Sequence, residues 1–266
     1  MLFKIGFTAQ HAQSEQNSET SAPQAPPARR SVVQVRFEGG RSFAYYNDRF
    51  DLHRGDIVFV EGALEGERGR VTEVNYNFKI RIADYKRVIA VGDTALKGRF
   101  FDAGDYFVTF EPSAAPVGRV RSWYLPPEKE DEFLSGSDDS VISLKTLEGF
   151  EVTSAIAQRG SDYFANGNLK YLCLDGTRGY ALVKGTHVYE VEFTYRDGEI
   201  RALTCTCFCP YSCKHEVALL LGLRSLLEAI EHEYAGEFAR SGYFAALEKA
   251  DLFRFAVSGR SRSFTL

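Results

Sequence analysis

Short runs of alternating apolar and polar residues dominate the chain between residues 31 and 95. Val33, Val35 and Phe37 alternate with polar neighbours, and Gly39-Gly40 separates this run from a second one. A period of two is typical of a β-strand with one buried face, and two such runs joined by glycines predict a hairpin. About six runs of this kind lie too close together for crossover helices, so residues 31–95 are predicted to form a small antiparallel β-barrel.

Two of these runs have a residue pattern that is seen in a known class of small β-barrel. The stretch Arg54-Gly-Asp-Ile-Val-Phe-Val60 and the later Arg70-Val-Thr-Glu-Val74 resemble strands of SH3-like barrels. That resemblance implies a structural module or one that contacts another protein. Aromatic and arginine side chains interleave in the same segment, which leaves nucleic-acid binding open as the alternative. These side chains are Arg36, Arg41, Tyr45, Tyr46 and Arg49.

Segments of different composition flank the predicted barrel. Residues 1–30 are mostly polar and rich in Gln, Ser and Pro, so they are predicted to be a disordered tail. Residues 96–140 read as a Pro-rich acidic connector with room for one or two strands. Residues 226–266 are predicted to form a C-terminal helical extension, with a short helix at 243–250.

Helical and strand-like periods mix between residues 141 and 225, which predicts an α+β domain. Gly160 is expected to close a helical segment, and strands follow. The Asp197-Gly198 pair predicts a tight hairpin turn, and the second strand of that hairpin leads directly into the cysteines. From Val217 onwards, apolar residues recur at helical spacing. The expected unit is therefore a β-hairpin, a tight loop and a helix.

Four of the five cysteines fall within the eleven residues Cys205-Thr-Cys-Phe-Cys-Pro-Tyr-Ser-Cys-Lys-His215. Thiolate and imidazole are the ligands that a tetrahedral zinc ion prefers, so the cluster predicts one structural Zn²⁺ that closes the ββα unit. Alternate residues of a strand share a face, and Cys205, Cys207 and Cys209 therefore all point the same way. This parity leaves two pairs open, Cys205 with Cys207 or Cys207 with Cys209, each completed by Cys213 and His215.

The pattern Cys-x-Cys, a short gap, then Cys-Lys-His before an apolar helix is similar to the SWIM zinc finger. Upstream residues resemble the lead-in of that family: Gly160 with Tyr163, and Gly185 with Tyr189. The resemblance covers roughly residues 150–225. It implies zinc binding, contacts with DNA or with protein, and a bacterial origin.

The gap that is usual in SWIM fingers favours one of the two ligand sets. The favoured ligands are Cys205, Cys207, Cys213 and His215, with Cys209 as the alternative ligand. Four protein ligands leave no position for a reactive water, and no catalytic constellation stands out, so we expect a protein that is not an enzyme and has no small-molecule substrate.

Charge and hydropathy exclude few classes of binding partner. The formal net charge is -4, and no segment is strongly basic. No apolar run is long enough for a membrane span, and no secretory signal is recognisable, so we expect a cytoplasmic protein. The cations nearest the finger are the candidates for contact with nucleic acid or a partner: Arg201, Lys214, Arg260 and Arg262.

Two functions therefore remain open from the sequence. In the first, the protein is a zinc-binding recognition module that engages nucleic acid or a protein partner. In the second, it is a structural or adaptor protein in which zinc only stabilises the fold and the barrel docks another protein.

Overall fold

The computed structural model describes residues 28–127, 140–207 and 209–257. The predicted disordered tail lies outside this range except for residues 28–30, and Arg260 and Arg262 also lie outside the described residues.

The fold is α+β, and antiparallel sheets make up most of it. Within the described residues, no helix has the length and apolar character needed to cross a membrane. The elements in chain order are β1 (Ser31–Phe37), β2 (Ser42–Asn47), β3 (Ile57–Val60), β4 (Gly69–Asn75), β5 (Val88–Gly92), β6 (Phe101–Ala103), β7 (Tyr106–Thr109), α1 (Val117–Arg121), β8 (Ile142–Ser143), α2 (Ser154–Ala165), β9 (Leu169–Asp175), β10 (Arg178–Lys184), β11 (Val188–Arg196), β12 (Glu199–Cys205), α3 (Lys214–Glu233), α4 (Ala235–Ser241), β13 (Tyr243–Glu248) and α5 (Lys249–Leu252). A π-helical turn, Phe253–Val257, follows α5.

The first sheet has five strands in the order β2-β1-β4-β3-β5. Val33, Val35 and Phe37 of β1 are buried in its core, as the alternation along this strand predicts. The sheet curls until β2 meets the chain just before β5 at one isolated bridge, Tyr46 with Arg87. No continuous ladder joins these edges in the described residues, so the sheet is open where the sequence predicted a closed barrel.

The second sheet has eight strands in the order β6-β7-β13-β9-β10-β11-β12-β8. Its central strand β9 is apolar on both faces. Leu172 and Leu174 belong to the core that α3 covers, whereas Tyr171 and Cys173 point into a second core on the opposite face. A strand that is buried on both faces has apolar residues at consecutive positions, as β9 does. The sheet is accordingly covered by one layer on each face.

Different parts of the chain cover the two faces of the larger sheet. The apolar side of α3, including Leu219 and Leu223, packs on one face. Trp123, which follows α1, and Phe255 cover the other face. The indole N–H of Trp123 donates a hydrogen bond to the carbonyl of Asp93 at 2.6 Å, so the one tryptophan in the chain is part of the core.

Both the connector and the C-terminal extension contribute strands to the larger sheet. The connector was expected to hold one or two strands, and only the extension differs from its prediction. The segment 96–140 supplies β6 and β7, which pair with one another and, through β7, with β13 in the larger sheet. Residues Tyr243–Glu248, predicted as a helix, form strand β13 between β7 and β9. The C-terminal extension therefore continues the helix α3 and the short α4 but then returns to the sheet, where its apolar side chains reach both cores.

Candidate metal centre

Two elements deliver the cysteines and the histidine to one place. The β11–β12 hairpin turns at Asp197 and Gly198, whose φ angles of 52° and 84° are the left-handed values that a tight hairpin turn requires. Strand β12 ends at Cys205, and the chain then loops to Cys213 at the N-terminus of α3. The Glu216 carboxylate accepts a 2.8 Å hydrogen bond from the Cys213 backbone N–H, which holds the start of α3 in place.

Cys205, Cys207, Cys213 and His215 offer ligand atoms that all lie within 4.8 Å of one another. His215 Nδ1 is 3.7 Å from the sulfur of Cys205 and 3.7 Å from the sulfur of Cys213. In a tetrahedral site, a Zn–S bond of about 2.3 Å and a Zn–N bond of about 2.0 Å place sulfur and nitrogen about 3.5 Å apart. The donor set and its spacing therefore fit one tetrahedral metal ion, and zinc is the ion that thiolate and imidazole together favour.

Cys209 lies apart from this group. It is exposed, whereas Cys213 and His215 are buried, and Cys205 and Cys207 are half-buried. Of the two ligand sets that strand parity leaves open, the structure brings together the set that contains Cys205.

The ring of His215 is held between two tyrosines. Tyr189 of β11 stacks on it at 4.3 Å between ring centroids, and Tyr163 of α2 meets it edge-on at 5.6 Å. A Cβ on Gly185 would lie 3.0 Å from His215 Nε2 and 3.0 Å from Cε2 of Tyr189, so a side chain at this position would press on both rings. Nε2 is buried without a hydrogen-bond partner in the described residues, and Nδ1 is the nitrogen that faces the sulfur atoms.

Burial shifts the pKa values of the cluster. It lowers the pKa of His215 to about 4, with the positive charge of Lys214 acting in the same direction, so the imidazole is neutral at pH 7. A neutral imidazole is the form that binds a metal. Burial raises the pKa of Cys207 to about 12. The hydrogen bond with Cys205, followed by burial, raises the pKa of Cys213. Thiolates at such a buried site need a nearby cation, and a divalent metal ion supplies one.

Of the four cations predicted to contact a partner, Lys214 and Arg201 are already engaged, and Arg260 and Arg262 lie outside the described residues. The Lys214 ammonium lies 4.7 Å from the centroid of the Tyr163 ring. Arg201 is exposed on β12 and donates a 2.9 Å hydrogen bond to the Glu199 carboxylate. The described residues therefore offer little free positive charge beside the cluster.

A groove of about 950 Å³ runs beside the cluster, between the loop Cys209–Ser212 and the segment 140–151. We call it the acidic groove, because Glu148, Glu151 and Glu216 line it and no lysine or arginine is among its described lining residues. Phe150 also lines it, and Tyr211 stands on its rim with 83% of its surface exposed. Sequence reasoning missed this groove because its two walls are about 60 residues apart in the chain, with no shared motif.

Comparison with known proteins adds no relative. No protein-family model matches the sequence, and neither the curated proteins nor the solved structures include a significant match.

Proposed function

We propose that the chain is a zinc-dependent recognition module of the SWIM type, without enzymatic activity. The observation that carries the proposal is the convergence of Cys205, Cys207, Cys213 and His215, whose ligand atoms lie within 4.8 Å of one another. Four protein ligands complete a tetrahedral site, which suits a structural ion that holds the hairpin and the helix together. A reducing cytoplasm, which keeps thiols available to a metal, belongs to the same proposal.

The surroundings of His215 support the SWIM assignment. The residues that carry the resemblance lie far apart in the sequence, yet they meet around this histidine and the first turn of α3. Tyr163 and Tyr189 contact the imidazole ring, and Gly185 leaves room for it. Gly160 packs directly against Val217, one turn into α3. A shared role in holding one ligand gives a physical reason for these residue types to occur together.

Charge around the cluster favours a protein partner over nucleic acid. A nucleic-acid site needs cations free to meet phosphates. Here Lys214 lies over Tyr163 and Arg201 is paired with Glu199, whereas the acidic groove presents the exposed carboxylates of Glu148 and Glu151. The groove thus suits a segment of a partner that carries lysine or arginine, with Tyr211 available to stack on it.

Removing a ligand tests the role of zinc. Cys213→Ser should lose the metal and the cooperative unfolding of the α3 region, because metal binding contributes directly to folding free energy at such sites. Cys209→Ser is the matched control and should keep about one zinc per chain, since Cys209 lies outside the cluster. Metal content by mass spectrometry of the native protein and far-UV circular dichroism give the two readouts. Equal zinc content in both variants and the wild type would refute the assigned ligand set.

A second experiment tests the partner class on metal-loaded protein. Fluorescence anisotropy with a labelled hexa-arginine peptide should show binding that Glu148→Gln/Glu151→Gln weakens. The control Glu73→Gln/Glu228→Gln removes the same charge at two exposed positions away from the groove and should have little effect. The same titration with single- and double-stranded DNA and RNA gives the alternative: binding lost in Lys214→Gln and Arg201→Gln would favour nucleic acid. If zinc is bound but none of these probes binds, zinc only stabilises the fold and the recognition proposal fails.

A further inference from the structure

A second pocket, far from the cysteines in sequence, lies where the smaller sheet meets the C-terminal π-helical turn. Its volume is about 320 Å³. We call it the arginine pocket, because four of its lining residues are arginines: Arg36, Arg68, Arg70 and Arg254. Arg70 also ties the two parts of the fold together, since its Nη2 donates a 2.8 Å hydrogen bond to the carbonyl of Arg254.

The charge of this pocket is not balanced by its own walls. Four arginines and one acid, Glu38, line it, which gives a net charge of +3. The Glu38 carboxylate is itself bonded to Lys184 at 2.6 Å, outside the lining, and Arg254 lies 3.3 Å from the buried Asp251. Among the described lining residues themselves, positive charges therefore exceed negative charges by three.

Two arginines of the pocket stand directly opposite one another in the sheet. Arg36 of β1 and Arg70 of β4 are a cross-strand pair, and like charges in that position repel. Burial lowers the pKa of Arg70, and the positive charges of Arg254 and Arg68 lower it further, so the cations on this side of the pocket disfavour one another. Such an arrangement costs stability unless an anion lies between the cations.

The guanidinium of Arg68 packs against two aromatic rings and has one buried nitrogen without a hydrogen-bond partner among the described residues. Its guanidinium lies 4.6 Å from the centroid of the Phe255 ring and 5.0 Å from that of Tyr124. Its Nη1 atom is buried and has no hydrogen-bond partner among the described residues. Stacking fixes the plane of the guanidinium, and a buried N–H without an acceptor is costly, so this donor is pre-organised for an incoming oxygen atom.

We propose that the arginine pocket binds a phosphate group. Guanidinium groups bind phosphate through paired hydrogen bonds, and three excess positive charges match a phosphate dianion better than a single carboxylate. The modest volume of the pocket suits a phosphate with a small substituent or one phosphate of a longer chain. The site shares no residue with the metal cluster or the acidic groove. A negative result for the proposed zinc-dependent function would therefore not contradict phosphate binding here, and the reverse also holds.

The test follows arginine side-chain Nε–H signals by NMR while inorganic phosphate is added to the full-length, zinc-loaded protein at constant ionic strength. The wild type should show saturable shifts, with sodium chloride additions as the reference. Arg36→Gln, which changes an exposed side chain, and Arg68→Met, which keeps an unbranched apolar stem against the two rings, should each raise the Kd about tenfold or more. Arg68→Lys should also bind more weakly, because lysine keeps the charge but lacks the planar fork.

Arg41→Gln is the matched control. Arg41 lies at the adjacent β1–β2 turn, is exposed, is paired with Glu67 and does not line the pocket, so its loss should leave the Kd unchanged. A short oligonucleotide without a terminal phosphate separates the two sources of phosphate: displacement of inorganic phosphate assigns the pocket to a nucleic-acid backbone, and no displacement assigns it to a small phosphate compound. Wild-type shifts that do not saturate, or a Kd that is equal in folded Arg36→Gln and in the wild type, would overturn the proposal.

Discussion

Replacing Gly160 by alanine sets two effects of known size against each other. Gly160 lies in the middle of α2, where alanine is favoured over glycine by about 1 kcal/mol. A Cβ at this position would lie 2.2 Å from Cβ of Val217, 2.4 Å from its Cγ1 and 2.9 Å from the carbonyl oxygen of Lys214. Carbon atoms pack at about 3.5–4.0 Å, so α2 and α3 would have to separate by more than about 1 Å.

The cost of the steric clash should outweigh the gain in helix propensity. Overpacking costs about 1–3 kcal/mol, and the backbone carbonyl of Lys214 cannot rotate away, which places Gly160→Ala at the upper end of that range. We expect a net loss of about 2 kcal/mol. Because α3 carries His215 in its first turn, zinc affinity should fall as well.

Gly236→Ala is the matched control. Gly236 is exposed in α4, and no atom lies within 4 Å of the position that its Cβ would take. The same substitution should therefore raise stability by about 0.5–1 kcal/mol. Urea unfolding of zinc-loaded protein, followed by circular dichroism, would show the two variants moving in opposite directions. Val217→Gly removes both the Cβ and the Cγ1 that the new side chain would meet, so it should couple favourably with Gly160→Ala in a double-mutant cycle. A gain of stability in Gly160→Ala would refute close packing of α2 on α3.

Two further predictions concern groups outside the metal cluster. Burial, aided by the charge of Asp51, raises the pKa of Asp56 from 3.8 to about 6, so the folded protein binds a proton that the unfolded chain releases. Stability should therefore fall as the pH rises from about 4 to about 6, and the difference between wild type and Asp56→Asn, measured by urea unfolding across this range, should show that slope. Arg121 donates hydrogen bonds of 2.7 and 3.1 Å to both oxygens of the half-buried Glu190, and Arg121→Met should cost about 3 kcal/mol because it leaves that carboxylate without its cation. A thermal unfolding midpoint equal to that of the wild type would contradict the second prediction.

Local patterns predicted the elements that are amphipathic or that begin at a marked turn. The β1–β2 hairpin, the β11–β12 hairpin and α3 all follow from alternation, from glycine-containing turns or from helical spacing within a few residues of sequence. The cysteine-rich segment could also be recognised from the sequence, because all four members of the Cys/His cluster lie within eleven residues of the chain.

Strand β13 shows where local reasoning failed. Its sequence, Tyr243–Glu248, contains alanine, leucine and glutamate, which favour a helix. In the fold it lies between β7 and β9, with Phe244 buried in one core and Leu247 in the other. Burial on both faces outweighs a helix preference of a few tenths of a kcal/mol per residue.

Gly160 was misread for a related reason. A glycine at the end of an apolar helical pattern is a common stop signal, and the sequence predicted one there. In the structure α2 continues to Ala165, and the missing side chain serves the contact with Val217. The sequence shows that a glycine is present but not which neighbour approaches it.

The sequence by itself determined the ligand types of the Cys/His cluster, the hairpin and helix that carry it, and the α+β character of the chain. Only the tertiary structure decided that Cys205 rather than Cys209 joins Cys213 and His215, that carboxylates line the groove beside them, and that four arginines meet around one pocket. The physical reason is distance along the chain. Ligand type and periodicity are local properties, whereas the groove and the pocket arise from segments that meet only when the sheets pack.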